Sequence, residues 1–292
     1  MKMTPPIGGA SLPNWRTAVT RITFWGMFTS TVRAIARRVS PFSAAAALSC
    51  VALLAGVVQA APAVADDGNP LAGRPFYVDP ISQAMRAAKN ASPPSPELTA
   101  IANTPQAYWL DHAFPAGTVA ATVSRYAGAA AAAGATPVLA IYAIPNRDCG
   151  SFAAGGFASG AGYRQWIDAI ASGLGSLPAA IILEPDAIAM ADCLSADQRA
   201  ERFALLRYAV DTLTQDPAAA VYIDGGHSRW ISAEQLAAGL NEVGVDKARG
   251  FSLNTTNYYT TEEQIGYGEA VSAMTGGSHY VIDTSRNGAG PA

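Results

Sequence analysis

From about residue 107 onward the chain alternates between short apolar runs and longer amphipathic stretches. Each apolar run is four to eight residues long and has few polar positions, so it predicts a strand buried on both faces. The runs are Ala107–Leu110, Pro137–Ile144, Ala179–Leu183, Ala219–Ile223, Gly250–Leu253 and His279–Ile282. The stretches between them predict helices over 117–134, 162–174, 196–213, 232–243 and 261–274.

Helix start signals agree with this pattern. Ser195 and Ser232 stand directly before two of the helical stretches, and Thr260 or Thr261 stands at the start of a third. Apolar strands that alternate with helices are typical of a parallel sheet covered by helices. An open doubly wound sheet and a closed barrel both fit. Residues 66–104 are rich in Pro, Ala, Asn and Ser and predict an extended lead-in.

Polar and acidic side chains follow every apolar run. They are Asp111, Asn146 to Cys149, Glu184 to Asp186, Asp224 to His227, Asn254 to Tyr258 and Asp283 to Asn287. The carboxyl ends of parallel strands meet at one edge, where α/β enzymes hold their chemistry. A single Asp in a loop is an ordinary turn former, but recurrence at six strand ends predicts one cleft lined by carboxylates.

Charge is unevenly distributed along the chain. All 22 acidic residues lie at or after Asp66 and six basic residues precede it, so the chain from Asp66 onward carries 13 Lys and Arg and a net charge of −9. A surface of this sign disfavours nucleic acid and anionic membranes as partners. It suits a neutral or cationic substrate.

The basic start of the chain predicts an export signal. Arg33, Arg37 and Arg38 supply a positive region, residues 44–58 an apolar region, and Ala63-Val64-Ala65 a cleavage site of small residues. A membrane-spanning helix needs roughly 20 apolar residues, and the apolar region here is shorter. A cleaved leader is therefore favoured over the alternative, a stable membrane anchor.

We expect cleavage after Ala65 and secretion of the remainder as a monomer. Residues 1–65 are then a leader with an upstream extension, and residues 66–292 form one domain. That domain holds two cysteines, Cys149 and Cys193. In an exported protein a pair of cysteines favours one disulfide over the alternative, two unpaired buried thiols.

Several chemistries are disfavoured by missing motifs. The three histidines lack the spacing of metal ligands, and neither a G-x-S-x-G nor a G-x-G-x-x-G motif is present. We therefore expect no metal and no cofactor. Carboxylates that set one another's pKa perform acid–base chemistry, and aromatic rings stack on sugars, so the remaining groups favour a glycosidase. The aromatic candidates are Trp109, Tyr142, Trp230 and Tyr258.

The strand-end motifs resemble glycoside hydrolase family 6, the inverting endoglucanases and cellobiohydrolases that act on β-1,4-glucan. The resemblance runs from about Asn69 to the end of the chain and depends on several motifs in one order. The motifs are Tyr142-Ala-Ile-Pro-Asn-Arg-Asp-Cys149, Ile182-Leu-Glu-Pro-Asp186, Tyr222-Ile-Asp-Gly-Gly-His227 with Trp230, Asn254-Thr-Thr-Asn-Tyr258 and Ile282-Asp-Thr-Ser-Arg-Asn-Gly288.

The resemblance implies roles for single residues. Asp186 falls on the general acid, Asp148 on a second aspartate that raises the pKa of the acid, and Tyr142 on a tyrosine beside the cleaved sugar. Cys149 and Cys193 fall on a family disulfide. The implied substrate-binding residues are Trp109, Asp224, His227, Trp230, Asn254 and Asn257.

The implied fold is α/β, a distorted (β/α) barrel of the family 6 glycosidase type with seven strands. Only six strands are predicted here, so we expect an incomplete barrel. The implied partner is β-1,4-glucan, cleaved with inversion.

The chain departs from the family pattern in two places. In the loop after Asp148, where the family often has a serine that holds the catalytic water, alanine stands at the matching position and Ser151 lies nearby. The family pattern also continues past Ala292 with a last strand and the proposed general base. The alternatives to an active glucanase are therefore a glucan-binding pseudoenzyme and an inactive fragment.

Overall fold

The computed structural model of the protein describes residues 20–22 and 68–291. In this part of the chain seven strands form one parallel sheet. The strands are β1 (Thr20–Ile22), β2 (Tyr108–Leu110), β3 (Val138–Ile141), β4 (Ala179–Leu183), β5 (Ala219–Asp224), β6 (Gly250–Leu253) and β7 (His279–Asp283). Their order across the sheet is β1-β7-β6-β5-β4-β3-β2.

Seven helices accompany the strands in the same residues. They are α1 (Gln83–Asn90), α2 (Pro96–Ala102), α3 (Ala116–Ala132), α4 (Gly160–Leu174), α5 (Ala196–Leu213), α6 (Ala233–Glu242) and α7 (Thr261–Met274). Two short 3₁₀ turns, Asp148–Gly150 and Ala191–Cys193, lie beyond β3 and β4.

The strand order decides between the two architectures that the sequence left open. Strands β2 to β7 are neighbours in chain order, and each consecutive pair is joined through one helix. Right-handed crossovers between sequential neighbours place all these helices on one face, whereas a doubly wound sheet reverses its strand order. The sheet is therefore singly wound as in a barrel, and among the described residues it stays open, because β1 and β2 are its two edges.

The helix-covered face of the sheet carries the main core. Ile181 and Leu183 of β4 point into it and are fully buried. Trp166 of α4 is also fully buried, as expected for a core residue, and its indole N–H donates to the Phe114 carbonyl at 2.6 Å. Apolar packing on this face therefore fixes the helices to the sheet.

The opposite, inner face of the sheet has smaller side chains. Ala180 and Ala220 pack there with Ile182 and Val281. These small residues leave a cleft of about 470 Å³ on the inner face. Its lining includes Trp109, Ala140, Thr255, Asp283 and Arg286.

The six predicted strands are all present, and the predicted helix starts are confirmed. Ser195 and Ser232 each form a capping box, and the Thr260 hydroxyl accepts the Glu263 N–H. Strand β3 ends at Ile141 rather than at the predicted Ile144. It ends early because the N–H groups of Ala143 and Ile144 bind the buried side chain of Glu184 instead of a neighbouring strand.

The prediction of an extended lead-in over 66–104 is wrong, because α1 and α2 lie within it. Ser82 and Ser95 cap these helices, and Pro96 occupies the first turn of α2. Proline is favourable there, since its fixed φ suits a helix and its missing N–H would have no partner. Ser82 and the Ser95-Pro96 pair were therefore helix starts rather than signs of an extended chain.

Strand β1 was not predicted. It pairs in parallel with β7, with Thr20 opposite Val281. The predicted leader with its upstream extension, residues 1–65, lies outside the described residues except for Thr20–Ile22, and the domain boundary at 65/66 stays a prediction. The described residues 20–22 and 69–291 belong to one compact unit. No helix in the described residues has the length and apolarity needed to cross a membrane.

The packing of α3 against α4 makes a prediction for two helical glycines. A Cβ at Gly173 would lie 2.3 Å from the backbone oxygen of Ala120, so Gly173→Ala should lower the free energy of unfolding by about 1–3 kcal/mol. A Cβ at Gly128 meets nothing within 4 Å, so Gly128→Ala is the control and should raise it by up to about 1 kcal/mol. Urea unfolding measures both, and equal effects would contradict the close approach.

Candidate active site

Backbone strain marks the carboxyl-end edge of the sheet. Among the described residues, all seven non-glycine residues with φ in the left-handed region follow β3, β4 or β6 within eight residues. They are Asn146, Asp148, Cys149, Glu184, Asp186, Asn254 and Thr256. Such conformations cost roughly 1–3 kcal/mol each and cluster at functional sites. The strain therefore points to the edge at which the sequence predicted the cleft.

Asp224 anchors the centre of this edge. Its Oδ1 accepts the backbone N–H of Asp186 and of Gly226, each at 2.9 Å. Its Oδ2 accepts the hydroxyls of Ser252 at 3.0 Å and Thr255 at 2.5 Å. Burial raises the pKa of Asp224, and these four donors oppose that rise by stabilising the charged form. Asp224 therefore joins the ends of β4, β5 and β6 around one buried carboxylate.

Asp186 lies beside Asp224, and the pKa of its side chain is strongly raised. Burial raises its pKa to about 7, and the nearby carboxylates of Asp224 and then Asp148 add to the rise. Asp224 has four donors to hold its charge, whereas Asp186 has none among the described hydrogen bonds. Of these three neighbouring carboxyl groups, Asp186 is therefore the one that holds a proton near neutral pH.

Asp148 approaches from the loop after β3. Its Oδ2 accepts the Ala153 N–H at 2.6 Å, and its backbone has φ of 56°. The neighbouring Arg147 is buried and donates to the carbonyls of Tyr142 at 2.6 Å and Ala153 at 2.8 Å. The sequence interpretation quoted Arg147 in a motif but gave it no role. Its guanidinium braces both ends of the loop that carries Asp148.

Tyr142 and Trp109 form an aromatic corner at the same edge. Their ring centroids are 5.5 Å apart at an interplanar angle of 85°, and the Arg147 guanidinium lies 4.4 Å from the Tyr142 centroid. Burial, then Asp186 and Asp148, raise the pKa of Tyr142 to about 12, so its hydroxyl keeps its proton. Trp109 is 38% exposed and lines the cleft. An exposed indole at a cleft wall can stack on a ligand ring.

The disulfide prediction is confirmed. Cys149 and Cys193 are bonded, with Cα atoms 6.2 Å apart. The bridge joins the loop after β3 to the loop after β4. It therefore ties the loop of Asp148 to the segment that follows Asp186.

A second aromatic group lies beyond β5. The His227 ring packs against Trp230 at 5.2 Å and Tyr259 at 4.3 Å between centroids. Burial lowers the pKa of His227, and its Nδ1 accepts the Arg229 N–H at 3.3 Å, so the neutral imidazole is favoured. The structure thus places the predicted His227 and Trp230 together, and their contact with a ligand stays a prediction.

Asn254 and Asn257 occupy different environments. Asn254 is 0% exposed, and its amide binds the backbone of Tyr259 and the carbonyl of Asp283. A fully buried side chain presents no atom to a ligand in this conformation, so its visible role is to position the loop after β6. Asn257 is half-buried and donates to the Thr255 carbonyl at 3.1 Å. Substrate contact by either residue stays a prediction.

Two buried charges were missed as functional candidates. Glu184 accepts backbone N–H groups beyond β3, and Arg202 of α5 donates to carbonyls of the loops beyond β3 and β4. The available signal was the position of each charge. Glu184 directly follows a wholly apolar strand. Arg202 directly precedes Phe203, a buried residue of α5, so a charged residue is unexpected at its position. Among the described residues no group of His, Cys, Asp and Glu is arranged to hold a metal ion.

Comparison with known proteins identifies the family of residues 67–292. The family model "Glycosyl hydrolases family 6" matches residues 67–292. Endoglucanase A of Cellulomonas fimi is 46% identical over 217 residues, which are 74% of this chain and 47% of that protein. Endoglucanase A of Thermobispora bispora is 41% identical over 256 residues, 85% of this chain and 55% of the relative. The chain thus spans about half the length of these curated relatives.

Solved structures agree with the family match. The endoglucanase Cel6 from Mycobacterium tuberculosis, in complex with methyl-cellobiosyl-4-deoxy-4-thio-β-D-cellobioside, is 74% identical with a TM-score of 0.76. The match covers 77% of this chain and 76% of that chain. Endoglucanase Cel6B from Humicola insolens is 23% identical, covers 75% of this chain and 78% of its own, and shares the fold with a TM-score of 0.62. The predicted family 6 type of α/β fold is therefore confirmed.

The carboxylate group at the strand ends makes an electrostatic prediction. Asp148→Asn removes a negative charge from the surroundings of Asp186, so the pKa of Asp186 should fall below its value of about 7. Carbon-13 NMR titration of labelled Asp carboxyls measures this pKa, with Asp186→Asn to assign the signal. The exposed Asp192 is the control, since Asp192→Asn should leave the titration of Asp186 unchanged. A pKa unaltered by Asp148→Asn would show that the two carboxylates do not interact.

The raised pKa also predicts how stability depends on pH. The carboxyls of Asp186 and Glu184 titrate near pH 7 in the folded chain and near pH 4 when unfolded. Between about pH 4 and pH 7 the folded state binds more protons, so these groups make the free energy of unfolding fall as pH rises. Asp186→Asn should flatten that fall in urea titrations across this range. An unchanged pH slope would contradict a raised pKa at Asp186.

Proposed function

Because the chain belongs to glycosyl hydrolase family 6, we propose that it hydrolyses the β-1,4 bonds of a glucan, with Asp186 as the general acid. The observation that carries this proposal is the buried position of Asp186 beside the carboxylates of Asp224 and Asp148, which raises its pKa. Its pKa of about 7 lies where a carboxyl can hold a proton and still release it.

The acid step follows from the groups around Asp186. The departing sugar oxygen takes the proton of Asp186 as the glycosidic bond breaks, which leaves a carboxylate between Asp224 and Asp148. The positive charge that develops on the sugar ring is stabilised by these carboxylates. Water then adds from the opposite face of the ring and releases one proton to the solvent, which gives a neutral product with inversion at the anomeric carbon.

A glucan suits the rest of the site. The cleft pairs the exposed face of Trp109 with hydroxyl and carboxyl groups from β6 and β7, such as Thr255 and Asp283. Sugar rings have an apolar face that stacks on an indole and a rim of hydroxyls that hydrogen-bond. Glucan is uncharged, so the acidic net charge of the chain does not oppose its binding. The related Cel6 structure holds a thio-linked cellobioside, which supports this substrate class.

We also propose that the protein is exported. The Cys149–Cys193 disulfide is stable in an oxidising compartment, and the basic and apolar segments before Ala65 fit a cleaved leader. A polymeric glucan cannot enter a cell, so its hydrolysis requires an enzyme outside.

Release of reducing ends from carboxymethyl-cellulose tests the proposed activity. Asp186→Asn should lower kcat by about 10²–10⁴-fold, because the leaving oxygen loses its proton donor. Asp197 is exposed at the start of α5, and Asp197→Asn is the matched control with unchanged rate. Activity of the unmodified protein should decline above pH 7 as Asp186 loses its proton.

Proton NMR of the first product determines the stereochemistry. Inversion of a β-linked glucan should give the α-anomer before mutarotation. Formation of the β-anomer would exclude inversion, and an Asp186→Asn variant as active as the unmodified protein would exclude Asp186 as the acid. Binding of insoluble cellulose with no release of sugar would replace the proposal by a binding function.

A further inference from the structure

Glu184 is a fully buried carboxylate that the acid step does not use. It is 0% exposed, and it accepts the N–H of Ala143 at 3.0 and 3.1 Å and the N–H of Ile144 at 3.1 Å. Tyr163 of α4 and the guanidinium of Arg147 lie close enough to influence its titration. Glu184 belongs to the end of β4, yet its hydrogen bonds hold the chain that leaves β3.

Arg202 holds the same stretch of chain from the other side. It is 2% exposed, and its Nη2 donates to the carbonyls of Pro145 at 3.3 Å and Asn146 at 2.5 Å. Its Nη1 donates to the carbonyl of Ala187 at 3.3 Å, directly after Asp186. One guanidinium therefore joins the loop after β3 to the loop after β4.

The two side chains bind backbone groups at opposite ends of segment 143–146. Glu184 takes N–H groups at its start, and Arg202 takes carbonyls at its end. This segment has left the sheet, so its buried N–H and carbonyl groups have no strand neighbour and need other partners. The opposite charges of Glu184 and Arg202 also interact electrostatically, which reduces the cost of burying each.

Segment 143–146 connects Tyr142 to Arg147 and Asp148. We propose that Glu184 and Arg202 form a buried charge clamp that sets the position of Asp148 relative to Asp186. Both are positioning residues, because they touch the backbone around the site and neither reaches the cleft. The effect on turnover rests on the proposed function, whereas the effect on the titration of Asp186 does not.

The clamp predicts the same change for two opposite charge deletions. In Glu184→Gln and in Arg202→Met the segment loosens, and repulsion between the carboxylates lets Asp148 move away from Asp186. The pKa of Asp186 should fall in both variants. A purely electrostatic role would give opposite shifts, since loss of the anion lowers a carboxyl pKa and loss of the cation raises it.

Carbon-13 NMR titration of Asp186 in the full chain measures these shifts. Hydrolysis of a soluble cello-oligosaccharide should show kcat reduced about 10–100-fold in both variants, because the reacting groups are misplaced. KM should change little, because the aromatic residues of the cleft keep their positions. Arg199 lies on α5 one turn before Arg202 and forms an exposed ion pair with Glu242. Arg199→Gln is the matched control and should leave both the titration and kcat unchanged.

Each outcome decides the proposal. A fall in the Asp186 pKa in both variants supports the clamp, and opposite shifts or no shift overturn it. If either variant fails to fold, Arg202→Lys decides, because a single ammonium keeps the buried charge but cannot join both loops. A lower Asp186 pKa in Arg202→Lys supports the clamp, and an unchanged one overturns it. An unmodified protein that titrates as described but cleaves no glucan would refute the proposed function and leave the clamp standing.

Discussion

The arrangement of this site depends on the burial of several negative charges at one edge of the sheet. Asp224 is buried but receives four hydrogen bonds from three strand ends, which stabilise its charge. Asp186 lies beside it without comparable donors and has Asp148 as a further negative neighbour. Like charges that share a site shielded from water cannot all ionise readily. The shared proton therefore resides on Asp186, and this one constraint provides the acid that the proposed chemistry needs.

The scaffold supports this constraint with backbone that has left regular structure. Residues after β3, β4 and β6 adopt left-handed conformations, so the chain there no longer follows the sheet. Such backbone loses the partners that a sheet would provide, so buried side chains take their place. Asp224, Asn254, Arg147 and the Glu184–Arg202 clamp all bind main-chain groups. The Cys149–Cys193 disulfide adds a covalent link between the loop after β3 and the loop after β4. Strain at the site is thus compensated by polar contacts just beneath it.

The inner face of the sheet shows how packing and function are connected. Small residues such as Ala180 and Ala220 line it, whereas Ile181 and Leu183 fill the face under the helices. One strand therefore contributes a dense core on one side and free space on the other. That space is the cleft whose polar end includes Thr255, a donor to Asp224. A ligand in the cleft would lie within reach of the groups that control the proton of Asp186.

The roles of Asp148 and Asp186 came from the family resemblance and stay predictions, whereas the sequence by itself determined six of the seven described strands, five of the seven described helices and the edge at which polar side chains gather. These features depend on local periodicity, capping residues and residues that directly follow buried strands, all of which are read along the chain. The lead-in over 66–104 was mistaken because composition was weighed above the serine caps, Ser82 and Ser95, at the starts of its helices. Tertiary structure alone decided the rest: the single winding of the sheet, the burial of Asn254, and the pairing of Glu184 with Arg202 across one segment. Those features arise from contacts between residues far apart in the chain, where burial and hydrogen-bond partners are set by packing rather than by neighbouring residues.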